Sequence, residues 1–176
     1  MNIDIYCDGA CSGNPWIGGR WAVIIYDDII KQICWNQQNT TNNQMELQAV
    51  IKSISYIKNN ILPKKLSQDI DNIYDEYFEV DNFWTKKELH KITQNIQINI
   101  YTDSKYVFGG ITQYIKNRKQ NWRKTTSRQA VKNQEFWLEL DFWNQIFLIN
   151  RNWVKWHSNN KYNNLADKLA TSQTIT

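Results

Sequence analysis

Two short segments of the chain each end an apolar, strand-like run on an aspartate. One is IYCD, which ends at Asp8, and the other is IYTD, which ends at Asp103. If the two strands are parallel neighbours in a sheet, both carboxylates lie at the edge where open α/β sheets bind ligands. Either aspartate could instead cap the turn or helix that follows it, which is an ordinary structural role for this residue type.

Two further carboxylates are candidates for the same site. Glu46 lies close to the apolar face of a predicted helix, where a carboxylate is rarely left without a partner. Asn43 and Glu46 also match a helix-capping pattern with Asn43 as the N-cap, so capping is the alternative for Glu46. Asp167 lies off the apolar stripe of the last predicted helix, and its position alone favours a solvent-exposed residue.

Carboxylates that cluster raise one another's pKa and repel unless cations lie among them. Oxygen ligands without cysteine or histidine partners suit Mg²⁺ or Mn²⁺. Two such ions can activate a water and stabilise a leaving oxygen, so the chemistry predicted for these residues is phosphoryl transfer or hydrolysis.

Alternation of apolar and polar residues predicts five strands, and helical spacing predicts the segments between them. Three strands form an antiparallel meander at the start, and strands connected by helices indicate an α/β fold with parallel strands at the crossovers. A chain of 176 residues is long enough for one domain with a buried core. The predicted strands are 2–8, 21–26, 29–35, 96–103 and 153–156, and the helices are 43–57, 104–109, 111–118, 131–145 and one near Leu165.

The charge distribution indicates a phosphate-bearing partner. Hydrophobic residues make up 41% of the chain and charged residues 22%, which excludes a disordered polymer. The net charge is only +4, but no acidic residue occurs between Asp103 and Glu135. That interval carries eight basic residues: Lys105, Lys116, Arg118, Lys119, Arg123, Lys124, Arg128 and Lys132.

The three cysteines, Cys7, Cys11 and Cys34, are an odd number without paired spacing, which argues against a disulfide scaffold or a zinc site. No apolar run approaches the length of about 20 residues that spans a membrane. An intracellular, reducing location, the cytoplasm, is therefore expected, with no membrane partner.

Residues 59–95 are predicted to be an insertion. They include Pro63 and many acidic residues, and only Lys86–Lys91 is expected to be partly helical. The aromatic residues of this insertion favour packing on the domain or contact with a protein partner, and a mobile acidic segment is the alternative.

Several short motifs occur in a fixed order along the chain. They are DGACSGNP, TNNQMEL, YTDSKYV, GITQYI, VKN and WVKWH, followed by an asparagine and D-x-LA. Together they resemble ribonuclease H of type 1, over the whole chain except the insertion. The resemblance implies a ribonuclease H-like α/β fold, with a five-stranded mixed sheet of order 3-2-1-4-5 flanked by helices. It implies a single catalytic domain at 1–176, with the insertion at 59–95 and a basic protrusion at 111–143.

The same resemblance implies hydrolysis of the RNA strand of RNA–DNA hybrids, with two Mg²⁺ ions, for which Mn²⁺ can substitute, and 5′-phosphate and 3′-hydroxyl products. The metal-binding catalytic carboxylates would be Asp8, Glu46, Asp103 and Asp167, and His157 would assist proton transfer or product release. The residues expected to contact RNA 2′-hydroxyls are Cys11, Ser12, Asn14, Asn43 and Gln44. Asn42 would lie beside the DNA strand, Thr41 and Asn117 would bind a DNA phosphate, and Lys119, Arg123 and Lys124 would bind DNA from the protrusion. Several of these residues are also ordinary loop or capping residues, which is the alternative role for them.

The chain also departs from the family pattern. Trp16-Ile17-Gly18-Gly19 replaces a glycine-rich continuation, Asn39 replaces an arginine often found in the phosphate pocket, and Trp156 precedes His157 where glycine is common.

Three other functions compete with this interpretation. A related metal nuclease, such as an integrase or junction resolvase, is disfavoured by the residues that match 2′-hydroxyl contacts. A non-catalytic binding module is disfavoured because all four carboxylates are present. A domain of a reverse transcriptase is disfavoured by the start at Met1 and the end just after the last predicted helix, so a free-standing monomer is expected.

Overall fold

The described part of the chain is built around one five-stranded sheet. A computed structural model describes residues 1–12, 16–79, 91, 93–110, 132–155, 161–162 and 164–166. The strands are β1 (Asn2–Cys11), β2 (Trp16–Tyr26), β3 (Ile29–Thr40), β4 (Gln97–Thr102) and β5 (Leu148–Trp153). The helices are α1 (Asn42–Asn60), α2 (Lys64–Glu79), α3 (Lys105–Gly109) and α4 (Gln134–Ile146).

The strand order is β3-β2-β1-β4-β5, which confirms the predicted topology. β1, β2 and β3 pair antiparallel, whereas β4 pairs parallel with both β1 and β5. The carboxyl ends of β1, β4 and β5 therefore meet at one edge of the sheet, as the crossover connections require.

The repeated Ile-Tyr motif is aligned between β1 and β4. Ile5 lies opposite Ile100 and Tyr6 lies opposite Tyr101 in the parallel register. Both isoleucines are buried, and the two tyrosine rings stack with their centroids 4.4 Å apart. The two halves of the motif thus hold the centre of the sheet together.

Helix α1 covers one face of the sheet with the apolar stripe predicted for it. Leu47, Val50 and Ile54 are buried in the main core with Ile5 and Ile24 of the sheet. The prediction that Asn43 is its N-cap is wrong. Thr41 and Gln44 form the capping box instead, because the helix begins one residue before Asn43 and Thr41 adopts the extended conformation that a cap requires.

The insertion contains an additional helix that was not predicted from the sequence. In α2, Ile70 is fully buried and Ile73 is nearly so, and Tyr74 lies edge-on to Phe142 of α4 with the ring centroids 4.8 Å apart. Lys58 of α1 forms an ion pair with Asp71. The expectation that this segment packs on the domain is therefore correct for α2, whereas most of Lys86–Lys91 lies outside the described residues.

Helix α4 is part of the core. Trp137 is buried, packs against Gly110 at the end of α3 and lies beside Tyr106. Residues 134–143, which were included in the expected protrusion, therefore belong to the packed body of the domain. Residues 111–131 of that range, which include the predicted helix 111–118, lie outside the described residues.

Several boundaries also differ from the sequence prediction. β1, β2 and β3 are each longer than predicted, and β5 was placed about five residues too late. The chain enters β5 directly after α4, because Phe147 is already extended and Ile149 is buried in the sheet. None of the helices in the described segments is long and apolar enough to cross a membrane.

Candidate active site

Three of the four predicted carboxylates come together at the carboxyl edge of the sheet. One carboxylate oxygen from each of Asp8, Glu46 and Asp103 lies within 4.8 Å of the other two. Asp8 and Glu46 are only 7% and 6% exposed, and Asp103 is half-buried. This spacing allows all three oxygens to bind a common cation.

The parallel register explains why Asp8 and Asp103 meet. Tyr6 lies opposite Tyr101, so continuing the same alignment by two residues places Asp8 opposite Asp103. Asp103 does not cap the helix that follows, because Ser104 is the N-cap of α3 and its hydroxyl accepts from the backbone N–H of Val107. Asp8 accepts a hydrogen bond from the N–H of Gly9 at 2.8 Å.

Glu46 reaches the other two carboxylates because α1 packs very closely against β1. A Cβ atom at Gly9 would lie 2.4 Å from the backbone nitrogen of Glu46 and 2.4 Å from the carbonyl carbon of Met45. Only glycine permits this approach without displacing the helix. Gly9 lies just beyond the predicted strand 2–8 and its role was missed, although a glycine directly after a strand-borne aspartate was a signal for it.

The cluster generates a negative field inside the protein. Burial raises the pKa of the Cys7 thiol well above its ordinary value, and Glu46, Asp8 and Asp103 raise it further. A cation among the carboxylates would offset their mutual repulsion. Because all three ligand atoms are carboxylate oxygens, the donor set fits Mg²⁺ or Mn²⁺ rather than a metal that prefers sulfur or imidazole.

A polar rim borders the carboxylates, formed by the end of β1 and the start of α1. The Cys11 thiol donates to the carbonyl of Thr40 at 3.4 Å, which connects the end of β1 to the last residue of β3, two residues before α1 begins. Ser12 is exposed and its hydroxyl donates to the carbonyl of Ile17. Asn42 and Asn43 are exposed in the first turn of α1.

Thr41 and Gln44 have a structural role in this rim. The Thr41 hydroxyl accepts from the N–H of Gln44 at 3.3 Å, and the Gln44 side chain accepts from the N–H of Thr41 at 3.1 Å. The Thr40 hydroxyl also donates to Gln44. These residues therefore cap helix α1, which was the alternative role considered for them. The cap fixes the direction in which the first turn of α1 meets the rim.

Arg20 was not singled out from the sequence and is buried beneath the first turn of α1. Its Nη1 donates to Gln37 at 3.1 Å and lies 3.8 Å from the sulfur of Met45. The guanidinium group lies over the ring of Trp35 at 5.7 Å, and burial lowers its pKa. A positive charge is therefore held close to the rim.

A model of the RNase H family matches residues 1–89 and 85–175 of the chain. A Ribonuclease H of Wolbachia sp. subsp. Drosophila simulans (strain wRi) is 39% identical over 98% of this chain and 95% of its own length. A Ribonuclease H of Ehrlichia ruminantium (strain Gardel) is also 39% identical, over 98% of this chain and 94% of its own. The chain belongs to the RNase H family.

Solved structures show the same fold. LC9-RNase H1, described as a type 1 RNase H with the type 2 active-site motif, aligns with a TM-score of 0.71, over 98% of this chain and 72% of its own, at 19% identity. A foamy viral protease-reverse transcriptase in complex with RNA/DNA hybrid aligns with a TM-score of 0.62 at 17% identity, over 99% of this chain and 20% of its own. The expected ribonuclease H identity, enzyme class and fold are thus confirmed.

The other residues expected from the RNase H pattern lie outside the described residues. They are Asn14, Asn117, Lys119, Arg123, Lys124, His157 and Asp167. Ala166, which precedes Asp167 in the sequence, is fully buried in a second cluster with Tyr6 and Trp21 on the sheet.

Proposed function

We propose that this member of the RNase H family hydrolyses the RNA strand of RNA–DNA hybrids by a two-metal-ion mechanism, with Mg²⁺ as the natural ion and Mn²⁺ as a substitute. The products would carry 5′-phosphate and 3′-hydroxyl ends. The observation that carries the proposal is the approach of Asp8, Glu46 and Asp103 to within 4.8 Å at the carboxyl edge of β1 and β4.

In this proposal, Asp8, Glu46 and Asp103 hold the ions, with Asp167 as a fourth ligand. When bound, the ions supply an activated water and stabilise the leaving oxygen. The close packing at Gly9 keeps Glu46 beside Asp8, so the ligands need little rearrangement when an ion binds. His157 assists by accepting or donating a proton near the products, a contribution of about 10²–10⁴-fold for a group of this kind.

The polar rim selects the substrate. Cys11, Ser12, Asn14, Asn43 and Gln44 would contact 2′-hydroxyls, which only an RNA strand offers. Asn42 would lie beside the DNA strand, Thr41 and Asn117 would hold one of its phosphates, and Lys119, Arg123 and Lys124 would hold others. The exposed positions of Ser12, Asn42 and Asn43 beside the carboxylates support these assignments.

We also propose that the chain is a single catalytic domain that acts as a monomer in the cytoplasm. The three cysteines are free thiols, which is compatible with a reducing compartment. A protein partner of the insertion at 59–95 remains a prediction, and the exposed face of α2 is the described surface available to it.

The decisive experiment compares end-labelled RNA–DNA hybrid, duplex DNA and duplex RNA of one sequence, with Mg²⁺, Mn²⁺ or EDTA. Only the RNA strand of the hybrid should be cut, in the presence of metal, and Asp8→Asn should abolish cutting. Efficient cleavage of duplex DNA would favour the integrase or resolvase class. Tight binding of hybrid without cleavage in either metal would favour a non-catalytic module.

Metal binding has a readout of its own. Mg²⁺ should raise the melting temperature of the wild-type protein, because an ion bound to the folded state stabilises it. Asp8→Asn should show a much smaller increase, because the amide keeps the shape of the side chain and loses its charge. An equal increase in both proteins would place the bound ion elsewhere.

A further inference from the structure

The first residue of β2, Trp16, is an exposed tryptophan at the edge of the sheet that carries the carboxylates. Its side chain is 63% exposed, the largest value among the large apolar residues of the described segments. Trp21, in the same strand, is buried. Leaving so much indole surface in water costs free energy, which a ligand that covers it would recover.

Trp16 lies between the two halves of the polar rim. It is paired with Thr40 across the β2–β3 ladder, directly before the N-cap Thr41. On its other side, the backbone N–H of Ser12 donates to the carbonyl of Ile17 at 3.1 Å, which holds the end of β1 against the start of β2. The backbone of Trp16 is therefore flanked by segments that the proposed function assigns to the substrate.

The distance of Trp16 from the carboxylates follows from the strand register. Cys11 is paired with Gly18, so Trp16 lies two residues beyond Cys11 along the hairpin, and Asp8 lies three residues before it. At a rise of about 3.3 Å per residue, Trp16 is about 17 Å from Asp8 along the strand.

Within the part of the chain that the structure describes, Trp16 is not part of an apolar patch for a protein partner. The other large apolar residues that are exposed in the described segments are Met1, Ile29, Ile30, Leu148 and Trp153. The first four lie at the opposite end of the sheet, and Trp153 lies at the end of β5, separated from β2 by β1 and β4. A protein interface would require a contiguous apolar surface, whereas the described neighbours of Trp16 are the polar residues of the rim.

We propose that Trp16 packs its indole against the sugar rings of the bound hybrid in the minor groove, on the rim about 17 Å from Asp8 along the strand. This inference rests on the proposed function. The minor groove of an A-form duplex is wide and shallow, so a flat side chain at the rim can lie against the sugars without opening the base pairs. The contact carries no charge, so it contributes affinity that does not depend on salt.

The test uses Trp16→Ala, the conservative Trp16→Phe, and Ile30→Ala as a matched control. Ile30 is 51% exposed at the far end of the same hairpin. Burial of about half of the exposed indole surface, roughly 80 Å², corresponds to a change in affinity of about 10- to 30-fold. Trp16→Ala should raise KM for hybrid by about this factor with kcat within about twofold, and Trp16→Phe should restore most of the affinity.

Two further readouts separate this contact from other roles. The slope of log KM against log salt should be unchanged in Trp16→Ala, because the variant neutralises as many phosphates as the wild type. Hybrid should quench part of the tryptophan fluorescence of the wild type, and that part should be missing in Trp16→Phe. This second readout applies even if Trp16→Ala is poorly folded.

Direct binding measured by anisotropy in EDTA distinguishes this inference from the proposed function. If the wild type binds hybrid but does not cleave it when metal is supplied, the proposed function fails. The relative affinities of the variants and the wild type for hybrid still decide the role of Trp16. Equal affinities of Trp16→Ala, Ile30→Ala and the wild type would overturn the inference while leaving the nuclease assignment intact. A fall in kcat at unchanged KM would overturn it as well.

Discussion

Gly9 lies where β1 meets the first turn of α1, and the backbone atoms that a side chain would meet there belong to Met45 and Glu46. These atoms cannot rotate away as the end of a flexible side chain can. Since Glu46 is one of the three clustered carboxylates, the packing at Gly9 also sets the distance between Glu46 and Asp8. One residue without a side chain therefore links the stability of the fold to the geometry of the site.

Gly9→Ala should lower the free energy of unfolding by about 1–3 kcal/mol, the usual effect of overpacking a close contact. It should also reduce the stabilisation by Mg²⁺, because α1 and Glu46 must move away from Asp8. Urea denaturation with and without Mg²⁺ measures both effects. A variant with wild-type stability and a wild-type response to Mg²⁺ would show that the close approach does not constrain the site.

Glu139, a single partly buried carboxyl group on α4, is expected to make the free energy of unfolding depend on pH. Burial raises the pKa of this carboxyl group, and Lys52 and a side-chain hydrogen bond with Trp143 offset the increase only in part. The folded chain therefore holds the proton to a higher pH than the unfolded chain does. The associated stability is full below the ordinary glutamate pKa and is lost as the pH rises through the folded pKa.

Glu139→Gln should therefore increase the free energy of unfolding at pH 7 relative to the wild type and make less difference at pH 4. Urea denaturation of both proteins at the two pH values tests this. The opposite order, with the larger gain at pH 4, would mean that Lys52 and the Trp143 hydrogen bond together exceed the effect of burial.

Among the elements, α2 has an apolar stripe that the acidic composition of the segment made hard to recognise. Acidic residues dominated the expectation for this segment, yet Leu66, Ile70, Ile73 and Tyr74 recur at helical spacing and pack against the domain. The register of β1 and β4, in contrast, was predictable because the two Ile-Tyr-x-Asp motifs have the same spacing. The N-cap of α1 was misassigned because Thr41 and Asn43 both precede a suitable partner by three residues.

The sequence could locate the candidate carboxylates but not the distances between them. Strand alternation places Asp8 and Asp103 at strand ends, whereas the approach of Glu46 depends on a backbone contact between β1 and α1. No periodic pattern encodes such a contact. The same reason explains why the burial of Arg20 beneath α1 was not foreseen.

Ile70→Ala should destabilise the protein by about 2–5 kcal/mol, because it leaves a cavity between α2 and the core. Asn72→Ala, at an exposed position on the same helix, is the matched control and should change stability by less than about 0.5 kcal/mol. The measurement is urea denaturation. An Ile70→Ala protein as stable as the control would show that α2 does not pack as described.

Replacing residues 60–94 with a short Gly-Ser linker should leave hybrid cleavage within several-fold of the parent while lowering the melting temperature. The segment supplies buried side chains, including Leu62 and Ile70, and none of the three clustered carboxylates. A folded, shortened protein that no longer binds hybrid would assign the insertion to the substrate site.

For the molecule as a whole, the interval free of acidic residues predicts how the affinity for a polyanion depends on salt. Replacing Arg118, Lys119, Arg123 and Lys124 with alanine should raise KM for hybrid. It should also reduce the slope of log K against log salt by about 0.9 for each phosphate that the variant no longer neutralises. The control is the double variant Lys64→Ala, Lys65→Ala, which removes two exposed lysines at the start of α2 and should leave the slope unchanged.

An unchanged slope in the fourfold variant would mean that these side chains face solvent when hybrid is bound. A reduced slope together with an unchanged kcat would assign them to holding the nucleic-acid backbone.

The parallel pairing of β1 with β4 also has a consequence for the order of events in folding. β1, β2, β3 and α1 are contiguous within the first 60 residues, whereas the hydrogen bond from Asn99 to Asp4 joins strands 95 positions apart. Closing so long a loop is slow compared with forming the hairpin and helix. Asp8 and Glu46 can therefore meet before β4 is in place, but Asp103 joins them only when β4 docks. A divalent ion that requires all three binds only once the docking of β4 is complete, so it would act mainly by slowing unfolding.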